Sequence, residues 1–242
     1  FTGKGIAEYL GGDRYDGEFY DGVLKAGHLF NISQRRNGKG TYTYANGDIY
    51  AGTFERNLKH GIGKLTYANG KGSYYGYFKG GKREGEGIFH YANKDRYSGA
   101  WKNEMKHGYG TYIIDSQNIK VRVLIKPKLA GEWFEGQLLH GSWTLPSGDQ
   151  FEGEFKYNKP TGKGVWTLAN GNQVRGEYTQ NFQDIDIPNV DTPVDPVTKK
   201  RISLDWKTTN VTRPLQFPKR FNDQEKARYR HFFNDVDKDG SG

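Results

Sequence analysis

The sequence predicts a mostly β fold: an elongated antiparallel β-ribbon of stacked hairpin repeats, followed by an extended segment and one C-terminal helix. Three observations carry this expectation. Glycine is abundant, at 34 of 242 residues, and so are rings, with 17 Tyr, 14 Phe and 5 Trp, yet only 34% of the chain is hydrophobic. An ordinary domain is about 45–50% apolar, so the core should be thin and lined by rings. A short motif with an aromatic residue at each end and a glycine at its centre recurs every 23 or 24 residues. Composition then changes near residue 181: every glycine except Gly240 and Gly242 lies before it, and five of the eight prolines lie after it. The division that follows is a hairpin array over 1–180, an extended proline-containing segment over 181–221, and a helix with a loop over 222–242.

The array is read from its repeats. Tyr50-Ala-Gly-Thr-Phe54, Tyr74-Tyr-Gly-Tyr-Phe78, Tyr97-Ser-Gly-Ala-Trp101 and Phe151-Glu-Gly-Glu-Phe155 align, and each is followed by a Gly-x-Gly pair, at Gly61/Gly63, Gly85/Gly87, Gly108/Gly110 and Gly162/Gly164. Alternation puts the two rings and the central glycine on one strand face, and the Gly-x-Gly strand returns after a short polar turn. Tyr-Ala-Asn-Gly at 44–47 and 67–70, and Leu168-Ala-Asn-Gly171, supply positive-φ turns between hairpins. Glycine inside a strand normally weakens it, so its regular placement implies close approach of another group. Rings of adjacent repeats are the expected occupants.

Three departures interrupt the pattern. The spacing from Phe19 to Gly38 is long, Asp115–Ala130 reads as an insert, and Gly141-Ser142-Trp143 breaks a Gly-x-Gly pair. Insertions in repeat arrays map to loops on one face, often the binding face.

Tyr-x-Gly-x-Phe/Trp followed by Gly-x-Gly at this period resembles the MORN repeat family over roughly residues 1–180, with Gly3-Lys-Gly5 before Tyr15-Asp-Gly17-Glu-Phe19 similar to the end of an earlier copy. The resemblance implies a curved antiparallel ribbon that serves as a scaffold, or sometimes as a lipid-associated module.

In the tail, prolines recur too often between Ile187 and Pro196 for a helix. Ile187, Val190, Val194, Val197, Ile202, Leu204 and Trp206 are too apolar for a purely solvated linker, which suggests docking on the ribbon or on a partner. Asn222-Asp-Gln-Glu225 reads as a capped helix start, with Tyr229, Phe232, Phe233 and Val236 on one face. Asp237-Lys-Asp-Gly-Ser-Gly242 then matches the first half of a calcium loop, with Asp237, Asp239 and Ser241 as ligands. The segment resembles the start of an EF-hand. Its bidentate Glu would lie past Gly242, so this stretch carries no complete cofactor site, and calcium belongs to a longer chain.

The chemistry of catalysis is missing from the sequence. With no cysteine there is no disulfide and no Cys-ligated metal, a composition that fits a reducing compartment. No H-E-x-x-H, G-x-S-x-G or Walker pattern occurs, and the Gly-x-Gly pairs lack the helix a phosphate loop needs. His60, His107 and His140 each precede a repeat glycine and read as turn residues, and Asp48, Asp95 and Asp149 as turn-stabilising side chains. The sequence therefore reads as non-enzymatic. A net charge of +8 without dense Lys/Arg clusters does not mark a nucleic-acid binder.

What remains is a scaffold for protein partners in a larger assembly, with Tyr50, Phe54, Tyr74, Phe78, Tyr97 and Trp101 as the expected ring-lined binding face. The alternative is a peripheral membrane module that meets anionic phospholipid through Lys59, Lys64, Lys82, Arg83, Lys102, Lys106, Lys159 and Lys163 near the hairpin ends. The family resemblance, combined with the calcium-loop-like end, implies a cytoplasmic cytoskeletal or ciliary axoneme setting similar to radial-spoke proteins.

Overall fold

The computed structural model describes residues 2–20, 35–115, 125–183 and 200–210, which form fifteen β-strands and no helix. The strands fall into two units, Phe1–Glu104 and Met105–Gly242. The first contains β1 (Gly3–Glu8), β2 (Arg14–Tyr20), β3 (Arg35–Thr43), β4 (Ile49–Glu55), β5 (Leu58–Tyr67), β6 (Gly72–Lys79), β7 (Lys82–Tyr91) and β8 (Arg96–Lys102), each paired antiparallel with the next. The second contains β9 (Met105–Ile113), β10 (Lys128–Phe134), β11 (Gln137–Thr144), β12 (Gln150–Lys156), β13 (Lys159–Thr167), β14 (Gln173–Gln183) and β15 (Arg201–Asn210), again an antiparallel meander. The fold is thus mostly β and built of hairpin repeats, as the sequence predicts. The expected C-terminal helix lies outside the described residues.

Hairpins within repeats close through two-residue turns in which both residues have positive φ: Arg56-Asn57 at 49° and 73°, Asn103-Glu104 at 49° and 74°, Tyr157-Asn158 at 55° each. This is the turn geometry whose twist matches that of the flanking strands. A non-glycine residue in this region loses roughly 1–2 kcal/mol, and bonds to the preceding hairpin offset the loss. The Asn57 side chain accepts the Arg36 backbone N–H at 2.7 Å while its own N–H donates to the Arg36 carbonyl at 3.0 Å. Asn158 does the same for the Leu138 N–H at 2.9 Å. At the opposite ends of the strands, Asp13, Asp48 and Asp149 accept the backbone N–H of Ala45, Ala68 and Ala169 at 2.7, 2.9 and 2.8 Å. Each of these aspartates reaches the turn of the next hairpin, so adjacent repeats are laced along both margins.

The two glycines of each Gly-x-Gly pair do different work. The first takes a positive φ, as at Gly61 (61°), next to a register shift between Gly52 and Thr53, which is the geometry of a glycine bulge. The second lies in a glycine row that runs in register through the first unit: Gly5, Gly17, Gly40, Gly52, Gly63, Gly76, Gly87 and Gly99. Gly110, Gly131, Gly141, Gly153, Gly164 and Gly176 form the equivalent row in the second. A Cβ on Gly63 would lie 2.4 Å from the Tyr50 hydroxyl oxygen, and one on Gly87 2.2 Å from that of Tyr74. The rings therefore rest on glycines of their own repeat, two residues on and one strand over, rather than on those of an adjacent repeat as expected. The hydroxyl that reaches this row donates to the carbonyl three residues ahead, Tyr50 to Thr53 at 2.9 Å, Tyr74 to Tyr77 at 3.1 Å and Tyr97 to Ala100 at 3.0 Å. The register shift beside Gly52 leaves that carbonyl free for the hydroxyl to satisfy.

Ile202, Leu204 and Trp206 of the proline-containing segment dock by strand addition, since β15 pairs with β14 over Arg201–Asn210. Val174 stands where other repeats carry Tyr or Phe, and a Cβ on Gly176 would instead meet the Trp206 ring, at 2.4 Å. Trp206 thus supplies the ring that the last repeat lacks. Ile187, Val190, Val194 and Val197 lie outside the described residues.

Candidate partner-binding faces

Strand alternation gives each sheet a ring face and an outer face. The six residues expected to bind partners all lie on the ring face of the first unit, and there they are buried: Tyr50, Tyr74 and Tyr97 at 0% exposure, Phe78 at 2%, Phe54 at 4% and Trp101 at 5%. They form an edge-to-face zipper. Tyr50 sits between Phe54 and Phe78 at centroid distances of 5.1 and 5.0 Å, and Tyr74 between Phe78 and Trp101 at 5.1 and 5.3 Å. Each ring gains the quadrupolar contact of both neighbours, and none offers open surface.

The same face carries a feature that sequence reasoning missed: one cation per hairpin folded over the rings. The Arg36 guanidinium lies 4.4 Å from the Tyr42 centroid, Lys59 5.2 Å from Phe78 and Arg83 4.4 Å from Trp101. In the second unit Lys106 lies 4.9 Å from Trp133. Arg83 is also held by Glu104, which accepts from its Nε at 2.7 Å and from its backbone N–H at 2.6 Å. Burial pushes the Lys59 ammonium below its ordinary range. The available signal was positional, because Lys59, Arg83 and Lys106 each fall nine residues after the first ring of a repeat.

That placement divides the basic row considered for phospholipid. Lys64, Lys82, Lys102 and Lys163 are exposed, Lys59 and Arg83 are half-buried, and Lys106 and Lys159 are buried. Lys59, Arg83 and Lys106 therefore hold their charge over rings and Lys159 is buried, so the eight do not form a continuous outward row.

The outer face of the first unit exposes a group of large apolar side chains on neighbouring strands. Tyr75 is 54% exposed, Tyr77 49% and Ile62 47%. They occupy the strand positions between the buried rings and glycines, which is why a search for the repeated motif passes over them.

The other candidates resolve as follows. His60, His107 and His140 lie within β5, β9 and β11, not in turns. His60 pairs with Glu55 at 3.1 Å, and His107 stacks on Phe134 at 5.3 Å. The ends of the Asp115–Ala130 insert are closed by Lys126 bonding Asp115 at 2.7 Å and by the Ile114 N–H donating to the Pro127 carbonyl. Among the described residues no cluster of His, Cys, Asp or Glu could hold a metal, and no helix is long and apolar enough to cross a membrane. Asp237, Asp239 and Ser241 lie outside the described residues.

Stacked hairpins with a repeated Tyr–glycine layer define a β-repeat protein. The MORN repeat family model matches five segments, residues 35–49, 50–72, 74–96, 97–118 and 151–173. Five segments of the chain are thus similar to MORN repeats, and such repeats generally take part in protein–protein or membrane–lipid interactions. Comparison with curated proteins finds no match.

Proposed function

We propose that this protein is a non-catalytic scaffold that binds protein partners through the outer face of its hairpin array. The observation that carries this reading is the exposure of Tyr75, Tyr77 and Ile62 on regular strands whose other face is closed. Flat, large rings on a rigid support give contact area at little entropic loss and are enriched among interface anchors. The expected set of Tyr50, Phe54, Tyr74, Phe78, Tyr97 and Trp101 acts on this reading from beneath: it fixes the sheet on which the outer rings stand. Phospholipid binding is the less favoured alternative, because half of the basic row is buried or half-buried. The resemblance to MORN-containing axonemal proteins supports a cytoskeletal or ciliary assembly as the setting, and calcium as a ligand of the segment around Asp237, Asp239 and Ser241 in a longer chain.

Crosslinking mass spectrometry on the native complex tests the surface. Crosslinks to partners should involve Lys64 and Lys79, which flank the outer rings. If partner crosslinks fall only on residues after 183, the outer face is not the docking surface and the tail is.

A further inference from the structure

We propose that the outer face of the first unit receives an acidic amphipathic helix of another protein, its apolar side seated on Ile62, Tyr75, Tyr77 and Ile88. The proposal rests on the scaffold reading above and adds the partner's chemistry. In the register of the sheet Ile62 lies opposite Tyr77, and Tyr75 opposite Ile88. Tyr75 and Tyr77 are alternate residues of β6, so all four side chains share one face. Directly opposed residues stand about 5 Å apart and alternate residues of one strand about 7 Å apart, which makes a block about 10 Å across. That is the width of one helix, and a helix presents its own apolar residues as i, i+3 and i+4 neighbours about 5–6 Å apart.

Backbone bonding selects a helix over an extended segment. The strands beneath the block pair on both sides, β5 with β4 and β6, β6 with β5 and β7, β7 with β6 and β8. An extended segment laid on this face would find no backbone partners and would leave its own N–H and C=O groups unpaired. A helix satisfies them internally.

Charge selects the sign. Lys64 stands opposite Tyr75, Lys79 follows two residues after Tyr77 on the same side, and Arg96 and Lys102 lie exposed on β8. Of the acids on that side, Glu86 is exposed next to the block, Glu84 is engaged by the Asn103 backbone N–H, which donates to it at 3.0 Å, and Glu55 is turned to His60 at 3.1 Å. A basic rim around an apolar centre complements an acidic helix, and it repels a second copy of the same face. Ile62 also borders a shallow depression of about 460 Å³ that continues over β2 to β4 between Lys39 and Glu18, which leaves room for polar side chains along one flank of the helix.

The test uses the full chain and a labelled synthetic helix with leucine at i, i+3, i+4 and i+7 and glutamate elsewhere, followed by fluorescence anisotropy. Saturable binding is expected, weakened tenfold or more by Tyr75→Ser with Tyr77→Ser, and similarly by Lys64→Glu with Lys79→Glu. All four residues are exposed, so unchanged circular dichroism melting checks that the variants fold. A lysine-for-glutamate helix should not bind. Equal binding of the lysine helix, or binding indifferent to both pairs of substitutions, overturns the proposal, as does no binding at all. So does tight binding of phosphatidylserine-containing vesicles, or self-association, that depends on Tyr75 and Tyr77 while the acidic helix stays free. If the peptide fails while native crosslinks still reach Lys64 and Lys79, only this inference falls; if those crosslinks are absent, the scaffold reading falls with it.

Discussion

Replacing Gly76 with alanine should destabilise the first unit by about 2–3 kcal/mol, a large effect for one methyl group added to a strand. The Cβ would lie 2.5 Å from the Gly87 Cα, 2.5 Å from the Tyr74 hydroxyl oxygen and 2.6 Å from the Glu86 carbonyl oxygen. Ordinary carbon contacts are about 3.5–4 Å, so the ring must lift or β6 and β7 must part. Lifting the ring breaks the Tyr74 bond to the Tyr77 carbonyl, a loss of about 1 kcal/mol. It also disturbs the edge contacts of Tyr74 with Phe78 and Trp101, each contributing about 0.5–1.5 kcal/mol. Opposing this, alanine restricts the unfolded chain and returns about 0.4–1 kcal/mol. Gly11 is the control, because a Cβ there meets nothing within 4 Å. Gly11→Ala should be neutral or slightly stabilising, and valine at Gly76 worse than alanine despite its better strand propensity. Urea unfolding followed by tryptophan fluorescence measures all three. A Gly76→Ala protein within 0.5 kcal/mol of the parent would refute the ring-on-glycine account, since a packed ring could not then occupy the row.

Four further outcomes follow from the same geometry. Tyr74→Phe should lose about 1 kcal/mol with the hydroxyl bond, and Phe151→Tyr should gain up to about the same, because β12 has the same register shift after its glycine; urea midpoints of the two variants should move in opposite directions. Glu104→Ala should lose about 2 kcal/mol by leaving the half-buried Arg83 without its carboxylate, measured as a thermal shift that Glu104→Gln partly restores. Trp206→Ala should lose about 2 kcal/mol from the second unit by vacating the cover of Gly176 and the ring contact with Tyr178 at 4.8 Å. Alkaline pH should unfold the protein: burial pushes Tyr15, Tyr42 and Tyr178 up to about 12, and Tyr50, Tyr74 and Tyr97 also upward. The folded state favours the neutral phenol, so this stabilisation is complete below about pH 10, where the unfolded tyrosines titrate, and is lost as pH rises toward 12. Absorbance at 295 nm should show phenolate forming together with loss of circular dichroism, and phenolate formation near pH 10 with the fold intact would contradict the burial.

Much of the fold was legible because a repeat states its own period. Tyr50, Gly52 and Phe54 sit at alternate positions, so the strand and its buried face could be read together, and Asn46-Gly47 marked its turn, with Gly47 at 86°. Which ring meets which glycine was not legible. That depends on the bulge at Gly61, which shifts register by two residues and sets Gly63 opposite Gly52, under the Tyr50 ring. That the repeated rings are closed off from solvent was not legible for a related reason: a repeated aromatic position catches the eye, yet what repeats in a stacked array is what each layer needs to pack. Tyr75 and Tyr77 occupy positions that hold Ala51 and Thr53 in the copy before and Ser98 and Ala100 in the copy after. Packing imposes no ring there, and one copy alone does not disclose a surface.

The copies that depart from the motif show that the glycine row outlasts its tyrosine. In the second unit Leu129 stands where other repeats place Tyr, buried to 1% exposure, yet Gly141 keeps its place in the row opposite Gly131 and Gly153, and it is Leu139 that replaces the positive-φ glycine of the other pairs. Leucine lays no ring across the row, and the backbone itself closes it there, since a Cβ on Gly141 would meet the Ala130 carbonyl oxygen. Trp133, one step further along β10, keeps the layer closed by donating from its indole to the Gly110 carbonyl at 3.1 Å, as Trp101 does to Gly87 at 3.3 Å. Val174 shows a second solution: the glycine is again retained, at 176, and the ring arrives from β15 as Trp206. A repeat can therefore lose its tyrosine in two ways and keep its glycine row in both, by filling the layer with an aliphatic side chain or by borrowing a ring.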